Sequence, residues 1–289
     1  MIVYFLDTDE DFSLAKAKEL GCELISMPYA IEGKNIEPYY DFETFDVKKY
    51  YDTLRAGTIP TTSALSKEKY IEIFEPHFAK GDDIFYIHFS RAMSASFANM
   101  DQALEELKAK YPERKFYEVD TMGITTISYA IALSILSKRN EMSPEELVEF
   151  GKKEAFNYAM YFFADDLKFF ARSGRVKGMA AVMGTLIGVR PIIHMSKEGT
   201  MVNIGKEVGR AKAINRLLAY MEELGDDVAN YPIYIGHCDC MPIVEQLVKM
   251  IKQKYGENIN IEIVPVNPTA GAHCGPNGLG VCFHAKDRS

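Results

Sequence analysis

The chain of 289 residues has no tryptophan, and its apolar residues nowhere run on for the roughly 20 positions that a membrane-spanning helix needs. A helical membrane protein is thereby excluded. Positive charge is also in short supply: 33 Lys and Arg face 41 Asp and Glu, a formal net charge of −8. Nucleic-acid affinity rests on basic patches, so no phosphate-backbone binder is expected, although a local basic spot can still serve one anionic group. Cysteines are few and odd in number, five in all. The opening "MIVYFLDTDEDFS" lacks the basic flank and cleavage site of a signal peptide. The expectation is a cytoplasmic protein whose thiols stay reduced. Also missing are a Walker A loop, a kinase-type glycine loop, a G-x-S-x-G elbow and any C-x-x-C pair. No nucleotide cofactor is expected.

What is present is an alternation of strand and helix patterns. "IVYFLD", "ELISMPY", "DIFYIHF" and "KFYEVD" read as strands, separated by helices through "FSLAKAKEL", "KEKYIEIFEPHF" and "SASFANMDQALEELKAKY". Strands joined by helix-length crossovers imply a parallel sheet with helices on both faces. Two helices follow, "ITTISYAIALSILSKR" and "SPEELVEFGKKEAFNYAMY", the second opened by a capping box of Ser143 and Glu146. Beyond them come a short helix "DDLKFFARSG", an apolar, glycine-punctuated helix "GMAAVMGTLIGV", and strands "RPIIHMS", "GTMVNIG", "YPIYIGH", "NIEIVPV" and "LGVCFH". Two longer helices, "RAKAINRLLAYMEEL" and "MPIVEQLVKMIKQKY", are interleaved with these strands. The length exceeds one core. The chain is therefore expected to be α/β with two domains, residues 1–165 carrying the parallel sheet and residues 166–289 a mixed one.

Three strand-to-helix junctions are rich in hydroxyls: "TIPTTSALS" (Thr61, Thr62, Ser63), "HFSRAMSASF" (Ser90, Ser94, Ser96) and "DTMGITT". Any of these hydroxyls, such as Ser66, Ser94 or Thr121, is accounted for by helix capping alone. Together, at consecutive strand ends of one sheet, they converge on one crevice and make an anion site from hydroxyls and free backbone N–H groups.

The Cys and His residues of "GHCDC" and "GAHCGPNGLGVCFH" invite a metal reading. A tetrahedral zinc would draw on Cys238, Cys240, Cys274 and either His273 or Cys282. Neither cluster has chelating spacing, so small buried hydrophobes is the expectation for the cysteines, and no metal. His273, set between Gly271 and Gly275 in an expected loop, is taken as functional. A hydrolase would use Ser94 as nucleophile, His273 as base and Asp239 or Asp120 as orienter. Two basic spots, Arg172, Arg175 and Lys177 around Gly174 and Lys206, Arg210 and Lys212 at a helix start, suit either a solvated face or an anionic group.

In order and spacing these segments resemble the DegV family of fatty-acid-binding proteins, which includes the binding subunits of bacterial fatty acid kinase. "LDTDEDF" is similar to the family's T-D-S-x-x-D-L, with Leu6 in the first Thr position, and "TSALS" to T-S-x-P-S, with Leu65 in place of proline. "SRAMSASF" keeps Ser94 of S-S-x-L-S-G-T-Y but carries Arg91, Ala95 and Phe97. "LKFFARSGRVKG" keeps Gly174 and Arg175, "VRPIIHMSKEGTM" resembles K-P-I-L…D-G, and "GAHCGPNGLG" keeps His273, Gly275 and Pro276. The resemblance implies a two-domain fold with an acyl chain buried between the domains. It implies Thr62, Ser63, Ser94, His273 and Gly275 at the carboxylate, and a separate ATP-binding kinase subunit as partner. Arg175 and Arg210 are then assigned to head-group or partner contacts. No residue is assigned a catalytic role. Arg91, three positions before Ser94, is expected either to narrow the mouth or to pair with the carboxylate.

Overall fold

The structure is a computed structural model that describes residues 1–178 and 188–288. In chain order the first half comprises β1 (Ile2–Asp7), α1 (Leu14–Glu19), β2 (Glu23–Ile25), β3 (Tyr29–Ile31), β4 (Lys34–Ile36), α2 (Val47–Arg55), β5 (Thr61–Thr62), α3 (Lys67–Lys80), β6 (Asp83–His88), α4 (Ser96–Lys110), β7 (Phe116–Asp120), α5 (Thr126–Lys138) and α6 (Pro144–Glu154). The remainder comprises β8 (Tyr158–Phe163), α7 (Leu167–Ser173), β9 (Val176–Lys177), β10 (Val189–Met195), β11 (Met201–Val208), α8 (Arg210–Leu224), β12 (Ile233–His237), α9 (Met241–Tyr255), β13 (Ile261–Pro265), α10 (Pro268–Cys274) and β14 (Leu279–His284).

The first sheet is parallel, in the order β2-β1-β6-β7. Its side chains alternate between two helical layers, as the pleat requires. Phe5 and Tyr86 meet Phe74 of α3. On the opposite face Tyr4 packs on Phe85 and lies under Arg139, beyond the end of α5. Ser66 caps α3 by accepting from Lys69 N at 3.2 Å, and Ser143 and Glu146 close the expected capping box on α6. The parallel sheet with helices on both faces is thus what the strand–helix alternation predicts.

The second sheet is mixed, in the order β13-β12-β14-β8-β10-β11-β9. Only the outer pairs β12–β13 and β11–β9 are parallel. Helices α8 and α9 cover one face through Leu217, Met221, Leu247 and Ile251, while α5 covers part of the other through Tyr129 against Tyr234. Helix α5 is buried almost all round, because sheets lie on two sides of it. Arg288 adds a polar tie: fully buried, it donates to the carbonyls of Tyr158, Met122 and Thr121.

Three expectations need correction. The helix read through "SPEELVEFGKKEAFNYAMY" stops at Glu154, and Tyr158–Phe163 is a strand in the interior of the mixed sheet. All six of its residues are buried, and an apolar run buried on both faces has no period to distinguish strand from helix. "ELISMPY" is not one strand: β2 ends at Ile25, and the chain turns into the small sheet β4-β3-β5. The segment "GAHCGPNG" is not wholly loop, since His273 lies in the last turn of α10. The helix expected in "GMAAVMGTLIGV" falls almost entirely on residues outside those described.

Candidate functional site

The C-terminal ends of β1, β6 and β7 open toward the mixed sheet, and a largely apolar cavity lies between them. Ligand crevices of open α/β sheets form at this end of the strands. All three hydroxyl-rich junctions reach it: Thr62 and Ser63 from the first, Ser94 and Ser96 from the second, Thr125 from the third. Met160 and Phe162 of β8, Met195 and Met201 of the neighbouring strands, and Phe89 and Phe170 supply much of the apolar wall.

Helix α10 crosses this wall and is held by neutral hydrogen bonds and one carboxyl. Tyr50 and Tyr51 of α2 donate to the carbonyls of Pro268 (2.5 Å) and Val266 (3.0 Å). Asn267 caps the helix by accepting from Ala270 N at 2.9 Å, while its backbone and side-chain amides both donate to Asp11 at 2.9 Å. His273 is thereby placed with Nε2 at 3.0 Å from Thr62 Oγ1. Burial, aided by the nearby Arg175 guanidinium, pushes its pKa down to about 4. At neutral pH the imidazole is uncharged, with one nitrogen donating and the other accepting.

Ser94 is fixed by its neighbour. Its hydroxyl donates to Ser96 Oγ at 2.9 Å and accepts from Ser96 N at 3.2 Å. Ser96 Oγ also accepts from Leu65 N at 2.9 Å, and Asn99 donates to the Leu65 carbonyl at 2.7 Å. The Thr62–Ser63 junction and the Ser94 junction are therefore locked together at one end of the cavity. Arg175 lines the same region, its Nε donating to the Met93 carbonyl at 3.0 Å.

The remaining expected residues sit elsewhere. Gly275 is not on the cavity wall: its φ is +70°, and a Cβ there would lie 2.4 Å from Phe169. Gly271 likewise makes room for the Tyr51 hydroxyl, at 2.6 Å from a notional Cβ. These glycines serve helix packing rather than ligand approach. Arg210 is tied to Asp165, which Arg190 also holds at 2.5 Å. Arg91 does not face the cavity; its guanidinium binds Asp101 at 3.0 Å and Glu118 at 2.6 Å. With two carboxylates already in hand, it is not the partner of a ligand carboxylate.

The two rival site chemistries are not assembled. For a triad, His273 would have to meet Ser94, but its partner is Thr62. Asp239 is bound by Arg55 at 2.6 Å, and Asp120 accepts from the backbone of Arg91 and Met122. Among the described residues, no three His, Cys, Asp or Glu side chains gather as a metal site requires. Cys240 donates to the Gly278 carbonyl, Cys282 is fully buried in the core, and Cys238 and Cys274 adjoin on the cavity wall. The contact with Cys238, and then burial, raises the pKa of the Cys274 thiol, and burial raises those of Cys240 and Cys282, which keeps all three as inert hydrophobes.

The sequence reading missed most of the apolar wall, and it missed Asp9. The strand alternation of β8 would have exposed Met160 and Phe162 as one face, opposite Ala159 and Tyr161, had the strand been recognised.

Fold and cavity together define an α/β protein with two large sheets and one small one, and an apolar chamber with hydroxyls gathered at one end. The chain belongs to the DegV family: the family model, described as "Uncharacterised protein, DegV family", matches residues 4–286. A DegV domain-containing protein of Clostridium perfringens is 29% identical over 286 residues, covering 97% of this chain and 96% of that one. The fold matches a fatty-acid-binding DegV family protein of Thermus thermophilus with a TM-score of 0.85 at 20% identity, over 98% and 99% of the two chains. It also matches a DegV family protein of Ruminococcus gnavus with vaccenic acid, with a TM-score of 0.83 at 18% identity, again over 98% and 99%. Among the described residues no helix is long and apolar enough to cross a membrane.

Proposed function

We propose that this chain is a carrier of a long-chain fatty acid. The acyl chain occupies the cavity between the parallel-sheet and mixed-sheet lobes, and the carboxylate lies at the end marked by Thr62, Ser63, Ser94 and His273. The observation that carries this reading is the composition of that end: hydroxyls and a neutral imidazole at the close of an apolar chamber, with Arg175 beside them. Fatty-acid binding by DegV proteins of the same fold supports it. Burying an acyl chain contributes roughly 0.8 kcal/mol per CH₂, on the order of 10 kcal/mol before association costs, so the apolar wall supplies the affinity. The hydroxyls set orientation. Hydroxyls also hold a carboxylate without the grip of a salt bridge, which suits a carboxyl oxygen that must accept a phosphoryl group. In this reading a separate ATP-binding subunit in the cytoplasm performs that transfer, feeding phospholipid synthesis. Arg175, at the rim, meets the head group or the partner, and Arg210, fixed by Asp165, belongs to the partner surface.

Native mass spectrometry of protein purified from cells, followed by organic extraction, tests the carrier. One fatty acid per chain is expected, and Thr62→Val or Ser94→Ala should weaken its retention about tenfold while the fold stays intact. A chain that releases no fatty acid and takes up neither added palmitate nor oleate would sink the proposal.

A further inference from the structure

Asp9 is left without a task by the carrier reading, and its setting is not that of a surface acid. It lies in the 3₁₀ turn Thr8–Glu10 after β1, is only 7% exposed, and lines the cavity. Its Oδ1 has no hydrogen-bond partner among the described residues. Buried polar atoms are nearly always satisfied, and an orphan on a cavity wall asks what enters the cavity.

The neighbouring acids are held by hydrogen bonds and lie off the cavity, although Glu10 too keeps one buried oxygen, Oε1, without a partner among the described residues. Asp7 accepts from the Tyr86 hydroxyl at 2.9 Å and from Asp9 N at 2.9 Å. Asp11 accepts both Asn267 amides and the Thr126 hydroxyl, and Glu10 accepts from Asp7 N at 3.0 Å. Of the four, Asp9 alone is on the cavity wall. Burial first, and then the adjacent Asp7 and Asp11, raise its pKa, which favours the protonated carboxyl, a group that can both donate and accept. That is the complement of an alcohol, not of a cation.

Thr125 stands beside it. Its backbone N donates to the Asp9 carbonyl at 2.6 Å, its φ is +56°, and its side chain makes no capping bond on α5 although it too lines the cavity. The two residues form a second polar spot on the wall, apart from the hydroxyls around Ser94 and His273. The turn that carries Asp9 ends at Asp11, which meets Asn267 at the start of α10, whereas His273 and Thr62 mark the other end of that helix. From residue 269 to 273 is about 6 Å along a helix axis. A chain anchored at Thr62 and His273 and running along α10 passes Asp9 within its carboxyl-proximal part.

We propose that Asp9 and Thr125 form a second polar contact for the bound acyl chain, which selects a fatty acid bearing a hydroxyl on its chain. The inference rests on the carrier reading above. An unsubstituted chain would leave Asp9 unpartnered in the complex, as it is among the described residues here; a hydroxyl would pair with the carboxyl and with Thr125 at once.

The test compares delipidated wild type with Asp9→Ala and Asp9→Asn, using palmitate against beta-hydroxypalmitate and stearate against 5-hydroxystearate. Wild type should bind at least one hydroxylated acid about tenfold more tightly than its plain counterpart. Asp9→Asn should keep most of that preference and Asp9→Ala should lose it while binding the plain acid at least as well. Thermal unfolding of each ligand-free variant confirms that all are folded. Equal binding of plain and hydroxylated acids by wild type, or a preference that survives Asp9→Ala, overturns the inference and leaves the carrier standing. Binding of no acid at all overturns both.

Discussion

The four acids after β1 make a prediction about stability and pH that can be worked in detail. Burial holds Asp7 and Asp11 up to about 7, against an ordinary value near 3.9. Burial also raises Asp9 and Glu10, and there the neighbouring carboxyls add to the shift. Between about pH 5 and pH 7 the unfolded chain has released these protons while the folded chain keeps them, so unfolding is favoured as pH rises. Each such group lowers the unfolding free energy by about 1.4 kcal/mol per pH unit until its folded pKa is passed. Two histidines oppose this: His273, at about 4, and His237, pushed down by burial, stay neutral in the fold while their unfolded counterparts protonate below about pH 6.5. Glu118, held down to about 2 by His88 and Arg91 in spite of burial, acts only below the window. Asp7 and Asp11 alone give a loss of at most about 2.7 kcal/mol per pH unit, to which Asp9 and Glu10 add and which the two histidines reduce, a large fraction of a domain's stability. Urea unfolding of the ligand-free protein, followed by far-ultraviolet circular dichroism since there is no tryptophan to report, should show stability falling through this range. Glu10→Gln keeps an acceptor for Asp7 N and removes one titrating group, so it should be more stable at about pH 7 and its slope shallower than that of the wild type. A wild-type stability that is flat or rises with pH, or a slope that Glu10→Gln leaves unchanged, would refute the placement of these acids in a dry interior.

Two substitutions test the frame around α10. Gly275→Ala forces a side chain into a left-handed backbone and against the Phe169 ring, and should cost about 2–4 kcal/mol in denaturant unfolding without touching the cavity wall itself. Asn267→Ala removes the helix cap and the side-chain amide contact to Asp11 while the backbone contact stays; a loss of about 2–3 kcal/mol is expected, with weaker retention of any bound fatty acid because His273 rides on the same helix.

Much of the fold was legible because its signals are local. Ser66 and Ser143 mark helix starts, and the strand–helix alternation up to Asp120 leaves few choices but a parallel sheet. Two of the hydroxyl-rich junctions were legible for the same reason: they follow β6 and β7, whose ends one sheet gathers on one edge, whereas Thr61 and Thr62 turn out to be β5 of the small sheet and reach the cavity from there. What was not legible depends on partners distant in sequence. β8 carries no period because sheet neighbours and helices bury both its faces. Gly271 and Gly275 looked like ligand loops, and nothing near them in sequence announces Tyr51 or Phe169. Arg91 looked free because Glu118 and Asp101, which bind it, lie on a strand and a helix further along the chain.

The chemistry-bearing residues on the cavity wall share one property that their sequence patterns disguise. Asp9 is raised, His273 is lowered and Cys274 is raised, each chiefly or partly by burial, so each is shifted toward its uncharged form. A wall built this way carries donors and acceptors without net charge, which is what an interior needs if it is to admit a long apolar chain and still read a polar group on it. Among the described residues, Arg175 is the one cation on that wall, and it sits at the end shared with Ser94, beside a groove that also meets Lys177. Charge is thus confined to the place where, in the carrier reading, a carboxylate emerges. Of the Cys and His residues that resemble a metal centre in the sequence, His273 and Cys274 are, in the fold, uncharged parts of the chamber wall.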